Sequence, residues 1–297
     1  MGKLNISDDH RWMNCSLFAP MNTWPLVLGE IRQFIKVAEG QITCFKVQMN
    51  YDNGENIRLA LLTSSENRQQ LYDHLNLIFK SFFRTFPFSG IRQNVDSIFL
   101  PYPTAVIEFG LFHLNYDPTF FNAYEVSQQI SRFIIEVLEK DDVDFETITT
   151  FSFYLQICLL KAILSYYQND RNFISLLLQP QTKKTISKKV AELSGENMDI
   201  LVQITTEVML NEVFEQDQVW ISHWINFCGY SLEKNVGQRN GEVNSPPKEL
   251  INFFQSCVYQ INEALGITPE AKDFIEFAVN HSMLVFAKSQ QRFFQLE

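Results

Sequence analysis

Arg58 poses the first chemical question in this chain. It is the only charge in "NIRLALL" (residues 56–62), where Ile57, Leu59 and Leu61 alternate with Arg58, Ala60 and Leu62. Such alternation is the pattern of a strand with one face buried. A guanidinium kept there either holds an anion or a carbonyl oxygen through its N–H donors or is a plain strand-edge charge. Few other residues are placed for chemistry. The five histidines, His10, His74, His113, His223 and His281, are scattered, and no two have the helical spacing of metal ligands. Asp141, Asp142 and Asp144 cluster just before a helical stretch, where carboxylates cap and solvate. The phosphate-binding, dinucleotide-binding, nucleophile-elbow and zinc-protease signatures are all missing. Nucleotide hydrolysis, nicotinamide redox chemistry, serine hydrolysis and zinc proteolysis therefore lose their usual warrant.

The elements that must position Arg58 read in a clear order. "RWMNCSLFAP" reads as a strand. "TWPLVLGEIRQFIKVAEG" reads as a helix with Thr23 as N-cap, Pro25 in its first turn and Gly40 at its stop. "ITCFKVQMN" and "NIRLALL" read as a hairpin turned at Asp52–Gly54. "SSENRQQLYDHLNLIFKSFF" reads as a second helix opened by Ser64 or Ser65, followed by short extended pieces "SIFLPY" and "TAVIEFG". The fold class expected is α+β: an N-terminal antiparallel sheet with two covering helices, in the order β-α-β-β-α-β, over residues 1–116. Residues 117–297 carry helical spacing and predict a mainly helical half packed on the sheet. The stretch 233–250, rich in Gly, Asn and Pro, predicts a long loop.

Totals bound the function classes. A chain of 297 residues with 46% hydrophobic residues can bury a substantial core, which the 27 phenylalanines fill. The net charge of −10 argues against a nucleic-acid backbone binder. A short basic run, Lys183, Lys184, Lys188 and Lys189, reads as a solvated helix face that could also receive an acidic peptide. Five cysteines with no C-x-x-C pair fit free thiols in a reducing compartment. No signal peptide and no uninterrupted apolar span of membrane length is read, so the expected setting is cytoplasmic, without membrane or nucleic acid as partner.

Residues Trp12 to Leu62 resemble the thiopeptide-type bacteriocin biosynthesis domain, the family of the small glutamate-eliminating domain of lantibiotic dehydratases and of stand-alone thiopeptide pyridine synthases. Its helix motif is seen here as "PLVLGEIRQFI". Its strand motif R-Y-x-D-P-x-x-H-I-R-L-R corresponds to "MNYDNGENIRLA", where Asp52, Ile57, Arg58 and Leu59 match. The motif's other positions hold Met49 for Arg, Asn53 for Pro, Asn56 for His and Ala60 for Arg. The family's E-x-x-R-Y-G-G falls on "AVIEFGL", with Glu108 where the arginine would be. "AYEVSQQISRFIIEVL" resembles the family helix E-x-x-F-x-x-D-S through Glu125 and Ser131. His281 sits in a helix like the family's His-Met helix, though its flanks do not match.

The resemblance implies an enzyme of ribosomal peptide modification that needs no cofactor and no metal. Its partner would be a precursor peptide, leader plus dehydrated core, and the cognate dehydratase a further candidate partner. Glutamate elimination calls for fixed cations at the enolate and at the leaving carboxylate, and three of the family's arginines are gone. A pyridine synthase tolerates that loss, since its formal aza-[4+2] cycloaddition of two dehydroalanines, followed by loss of water and leader, needs proximity and proton transfer. The alternatives are a split glutamate lyase and a non-catalytic peptide-binding protein. In the synthase, the expected acid–base groups are His281, Glu108 and Tyr102, with Ser282 as a supporting hydroxyl. Arg58, Asp52 and Glu125 are the expected substrate-binding residues. Arg58 is expected to face a cleft between the sheet and the helical half, and to hold a peptide oxygen or pair with Glu108.

Overall fold

A computed structural model describes residues 9–86, 102–112, 123–140, 142–167, 188–211, 214–236 and 248–293. They form two compact units: residues 1–147 with 263–266, and residues 148–262 with 267–297.

The first unit is the expected β-α-β-β-α-β arrangement. Strand β1 (His10–Phe18) is followed by helix α1 (Trp24–Val37). Strands β2 (Cys44–Asn50) and β3 (Asn56–Ser64) form the hairpin, and helix α2 (Ser65–Thr85) and strand β4 (Val106–Phe109) follow. The sheet is antiparallel with order β2-β3-β1-β4. Alternation then divides the side chains between two faces. Val47, Leu59, Cys15 and Phe109 share the apolar face, which α2 covers with Tyr72 against Phe109 at 4.3 Å. Helix α1 lies beside α2, Phe34 against His74. Trp24 is fully buried and donates its indole N–H to the Ala19 carbonyl at 2.9 Å.

Two caps differ from the sequence expectation. The Thr23 hydroxyl donates back to the Pro20 carbonyl at 2.6 Å and does not cap α1. Ser64 stands at the N-cap of α2 without a side-chain bond, and Ser65 donates to the Asp9 carbonyl instead. Both hydroxyls donate to backbone carbonyls outside the helices, and neither accepts a first-turn N–H.

Helix α3 (Ala123–Leu138) also belongs to the first unit and lines the outer edge of β2. The Ser131 hydroxyl accepts the Val47 N–H at 2.8 Å and donates to the Ser127 carbonyl at 2.8 Å. An open strand edge is thereby closed at its centre by a helix.

The second unit contains helices α4 (Phe145–Tyr166), α5 (Lys188–Leu210), α6 (Val219–Val236), α7 (Lys248–Ala264) and α8 (Pro269–Phe293), apart from the first residues of α4 and the end of α7. Asp144 caps α4, accepting the Thr147 N–H at 2.7 Å, and that bond holds its carboxyl below the usual range. Helix α4 is long and apolar enough to cross a membrane, yet most of it is buried within the protein. Trp224 seats on it, donating to the Leu155 carbonyl at 2.9 Å. The two ends of the expected loop 233–250 are helical instead: α6 runs to Val236, and α7 opens at Lys248. Residues 237–247, "SIFLPY" up to Pro101, and Lys183 and Lys184 lie outside the described residues. All five cysteines are buried free thiols.

Two outcomes are expected. Ser131→Ala strands the buried Val47 N–H and should cost about 1–3 kcal/mol, read as a lower urea midpoint. Burial, aided by Glu55, pushes the Tyr51 phenol up to about 12. A raised folded pKa means that stability is intact below the unfolded phenol value and lost as pH climbs through the folded one. Thermal melts should therefore fall between pH 10 and about 12, and Tyr51→Phe should remove its share of that fall.

Candidate functional site

The face of the sheet opposite α2 is where polar side chains gather. Its register places them in rows across the strands. Cys44, Leu62 and Trp12 make the first row, and Lys46, Ala60 and Asn14 the next. Gln48, Arg58, Ser16 and Glu108 make the third, and Asn50, Asn56, Phe18 and Val106 the last. Arg58 is thus at the centre, and the puzzle of a charge in an apolar strand resolves. Ile57, Leu59 and Leu61 serve the core, while Arg58 serves the other face.

The Arg58 side chain is 18% exposed. Its guanidinium lies 5.1 Å from the centre of the Phe112 ring and donates to Asp52 Oδ2 at 3.1 Å. Its Nε is buried with no hydrogen-bond partner. Asn14 Oδ1 and Asn56 Oδ1, on the same face, are likewise buried and unsatisfied. Buried polar groups are nearly always paired, so three unsatisfied atoms on one sheet face make it the candidate site among the described residues. The second cation of this face, Lys46, is 5% exposed and held by Glu263 Oε2 at 2.9 Å.

The expected pairing of Arg58 with Glu108 is corrected. Ser16 stands between them in the row, two strand spacings or roughly 10 Å of sheet separate their backbones, and Asp52 takes the guanidinium instead. Glu108 remains in line with Arg58, half-buried on β4. Tyr102 joins the same face. Its ring stacks on Phe18 at 4.7 Å, and its N–H donates to the Asn53 carbonyl at 2.9 Å. Glu125 is half-buried in the first turn of α3. His281 and Ser282 belong to the second unit, adjacent on α8 and so on different sides of it. His281 is exposed beside Phe277, while Ser282 is fully buried with an unpartnered hydroxyl.

Sequence reasoning missed Lys46, Gln48, Asn14, Ser16 and Phe112. Lys46 and Gln48 alternate with Phe45, Val47 and Met49, so the hairpin register alone would have set them beside Ala60 and Arg58. Asn14 holds the Phe112 carbonyl at 3.0 Å, a contact between residues 98 apart that no local pattern announces.

Past the end of β4, a cavity of about 590 Å³ adjoins this face. Trp12, Asn14, Tyr72, Phe109 and Phe112 line it, with Arg68. β4 pairs only with Cys15–Phe18 of the longer β1, which leaves that space. Gly110, at a φ of 75°, turns the chain away there. Among the described residues no three His, Cys, Asp or Glu side chains converge as a metal site.

The Asp52–Arg58 pair is half in water, with Asp52 71% exposed. A double-mutant cycle of Asp52→Asn and Arg58→Gln should give a coupling of only about 0.2–1 kcal/mol in urea unfolding. A larger coupling would make the arginine a structural residue and not a ligand-binding one.

No family model matches the sequence, and no curated protein matches it. Solved structures do match along nearly its whole length. A pyridine synthase from thiomuracin biosynthesis, TbtD, superposes with a TM-score of 0.62 at 12% identity, covering 94% of this chain and 99% of that one. TsrL matches with a TM-score of 0.56 at 10% identity, covering 93% and 95%. The tRNA-dependent lantibiotic dehydratase MibB from Microbispora sp. 107891 matches with a TM-score of 0.59 at 10% identity, and 96% of this chain corresponds to 29% of that one.

Proposed function

We propose that this chain, whose fold is that of the thiopeptide-type bacteriocin biosynthesis domains, is a pyridine synthase of ribosomal peptide modification. The observation that carries this reading is the composition of the central row, Gln48–Arg58–Ser16–Glu108. It offers one guanidinium with an unclaimed buried N–H, a hydroxyl and a carboxylate in line. Expelling glutamate from an ester would put a further carboxylate onto a face that already holds Asp52, Glu108 and Glu263. The other cation there, Lys46, is already neutralised by Glu263. A reaction that releases no free carboxylate from the ring suits the face better.

In this reading one dehydroalanine supplies a two-carbon alkene. The other supplies a 2-azadiene, CH2=C–N=C(OH), once the amide on its nitrogen passes to the imidic-acid tautomer. Two C–C bonds form, one between the two methylene carbons and one between the imidic carbon and the other alkene carbon, closing a six-membered ring that already contains the nitrogen. Water and then the leader, as its carboxamide, leave with protons supplied by the enzyme, and the pyridine results without an oxidant. Arg58 holds a carbonyl oxygen as it gains charge in the tautomerisation. Glu108 and Tyr102 stand on the same face as proton acceptor and donor. His281 is the further acid–base group, while Ser282, buried on another side of α8, is a supporting hydroxyl of the helix that carries it. Asp52 orients the guanidinium, and Glu125 meets the peptide. The precursor peptide is the substrate, and the dehydratase that prepares it the preceding partner.

The test is mass spectrometry of a synthetic precursor carrying two dehydroalanines after incubation with the protein. A macrocycle with release of the leader carboxamide is expected. An unchanged mass with peptide bound would leave a binding protein. Loss of glutamate from a glutamylated precursor would make it a lyase. His281→Ala should slow ring formation by roughly a hundredfold with an unchanged melting temperature. Near-normal turnover in that variant would remove His281 from the mechanism.

A further inference from the structure

Among the described residues, the edge of β2 is only partly closed. Ser131 takes the Val47 N–H, and Phe45, two residues earlier, turns its backbone N–H and C=O toward the same edge by strand alternation. Beside it, between α1 and α3, lies a cavity of about 690 Å³. It is distinct from the polar face: its lining comes from the outer side of α1, the start of β2 and the exposed side of α3. Ile35 and Ile135 give it an apolar floor. Lys36, Arg132 and Lys140 line it with Glu39 and Glu136, an excess of one positive charge in a chain of net charge −10. The fourth cation, Arg32, is bound to Glu139 at 2.9 Å and ties α1 to the end of α3 across the groove. Among the described residues, no carboxylate comes within ion-pair distance of Lys36, Arg132 or Lys140.

We infer that this groove is a docking site for an extended peptide segment that alternates apolar and acidic side chains. Strand spacing would drop alternate apolar side chains onto Ile35 and Ile135. The carboxylates between them would face Arg132 and Lys36, and the backbone would meet the Phe45 N–H and C=O, as in strand addition to a sheet edge. Charge decides the class of ligand. The groove is a positive spot on a negative protein, so it attracts what the rest of the surface repels. The inference rests on the peptide-modifying reading for its biological meaning: the segment would be the part of the precursor that is recognised and not the part that reacts.

The experiment uses the full chain and a fluorescein-labelled octapeptide of alternating leucine and aspartate, followed by fluorescence anisotropy at low salt. Its counterpart with asparagine in place of aspartate should bind about tenfold more weakly or worse, as should the aspartate peptide to a Lys36→Glu, Arg132→Glu protein. Both side chains are exposed, so folding should be kept. If the reversed protein melts early, Lys36→Gln, Arg132→Gln serves in its place. Equal binding of the two peptides, or affinity unchanged by the substitutions, overturns the docking site. So does displacement by free glutamate at equal concentration, which would leave a small-anion site only. The two readings fail separately. A precursor left unchanged by the unaltered protein ends the synthase reading, while charge-dependent peptide binding still supports the groove. A precursor processed equally well by unaltered and charge-reversed proteins, with equal peptide affinity, ends the groove alone.

Discussion

The β2–β3 register, fixed inside a five-residue turn, is the constraint on which the rest depends. The Asn56 side-chain amide donates to the Gly54 carbonyl at 2.7 Å and to the Asp52 carbonyl at 3.2 Å. Asn50 Oδ1 accepts the Asp52 N–H at 2.8 Å from the other strand. Together they leave Asn50 opposite Asn56, and every pair beyond follows. A slip of one residue would carry Arg58 into the core and Leu59 onto the polar face. The catalytic reading, the core and the edge closed by Ser131 all presuppose this one turn.

The polar face shows how a small protein keeps charge half out of water. Lys46 is almost wholly buried and is tolerable because Glu263 meets it. Glu263 is held close by its own turn. The Gly266 N–H bonds to the Glu263 carbonyl, and Gly266, at a φ of 62°, sits so near the Met49 carbonyl that a Cβ would come within 2.5 Å of that oxygen. Arg58 is handled differently: Asp52 takes one edge, Phe112 one side of its plane, and Nε is left over. One cation is neutralised by a carboxylate, and the other is divided between a carboxylate and a ring with its Nε left unbonded among the described residues.

The residues that depart from the strand motif have definite places in the turn and the strands beside it. Where that motif has proline, Asn53 adopts a φ of 60°, which proline's ring forbids and asparagine tolerates. Where it has histidine, Asn56 supplies the amide that closes the turn. Met49, at an arginine position, is fully buried on the apolar face. Ala60, at another, lies beside Lys46, so a cation stands in that row on the neighbouring strand.

The sequence by itself determined the element order, the hairpin and the split of Arg58 from its apolar neighbours, because alternation and turn chemistry are local. It also pointed to Glu108 and Tyr102, which do share a face with Arg58. What it did not determine was which carboxylate Arg58 meets. Asp52 and Glu108 are both plausible in sequence, and only the strand order, with β1 and Ser16 interposed, decides for Asp52. Lys46 meets Glu263, and Asn14 meets Phe112, across 217 and 98 residues of chain. Such pairs carry no periodic signal, since their geometry exists only after the sheet has closed. The groove beside β2 is likewise a product of three elements meeting. Arg132 and Lys36 read as ordinary solvated helix charges until the fold sets them on either side of an incompletely covered strand edge.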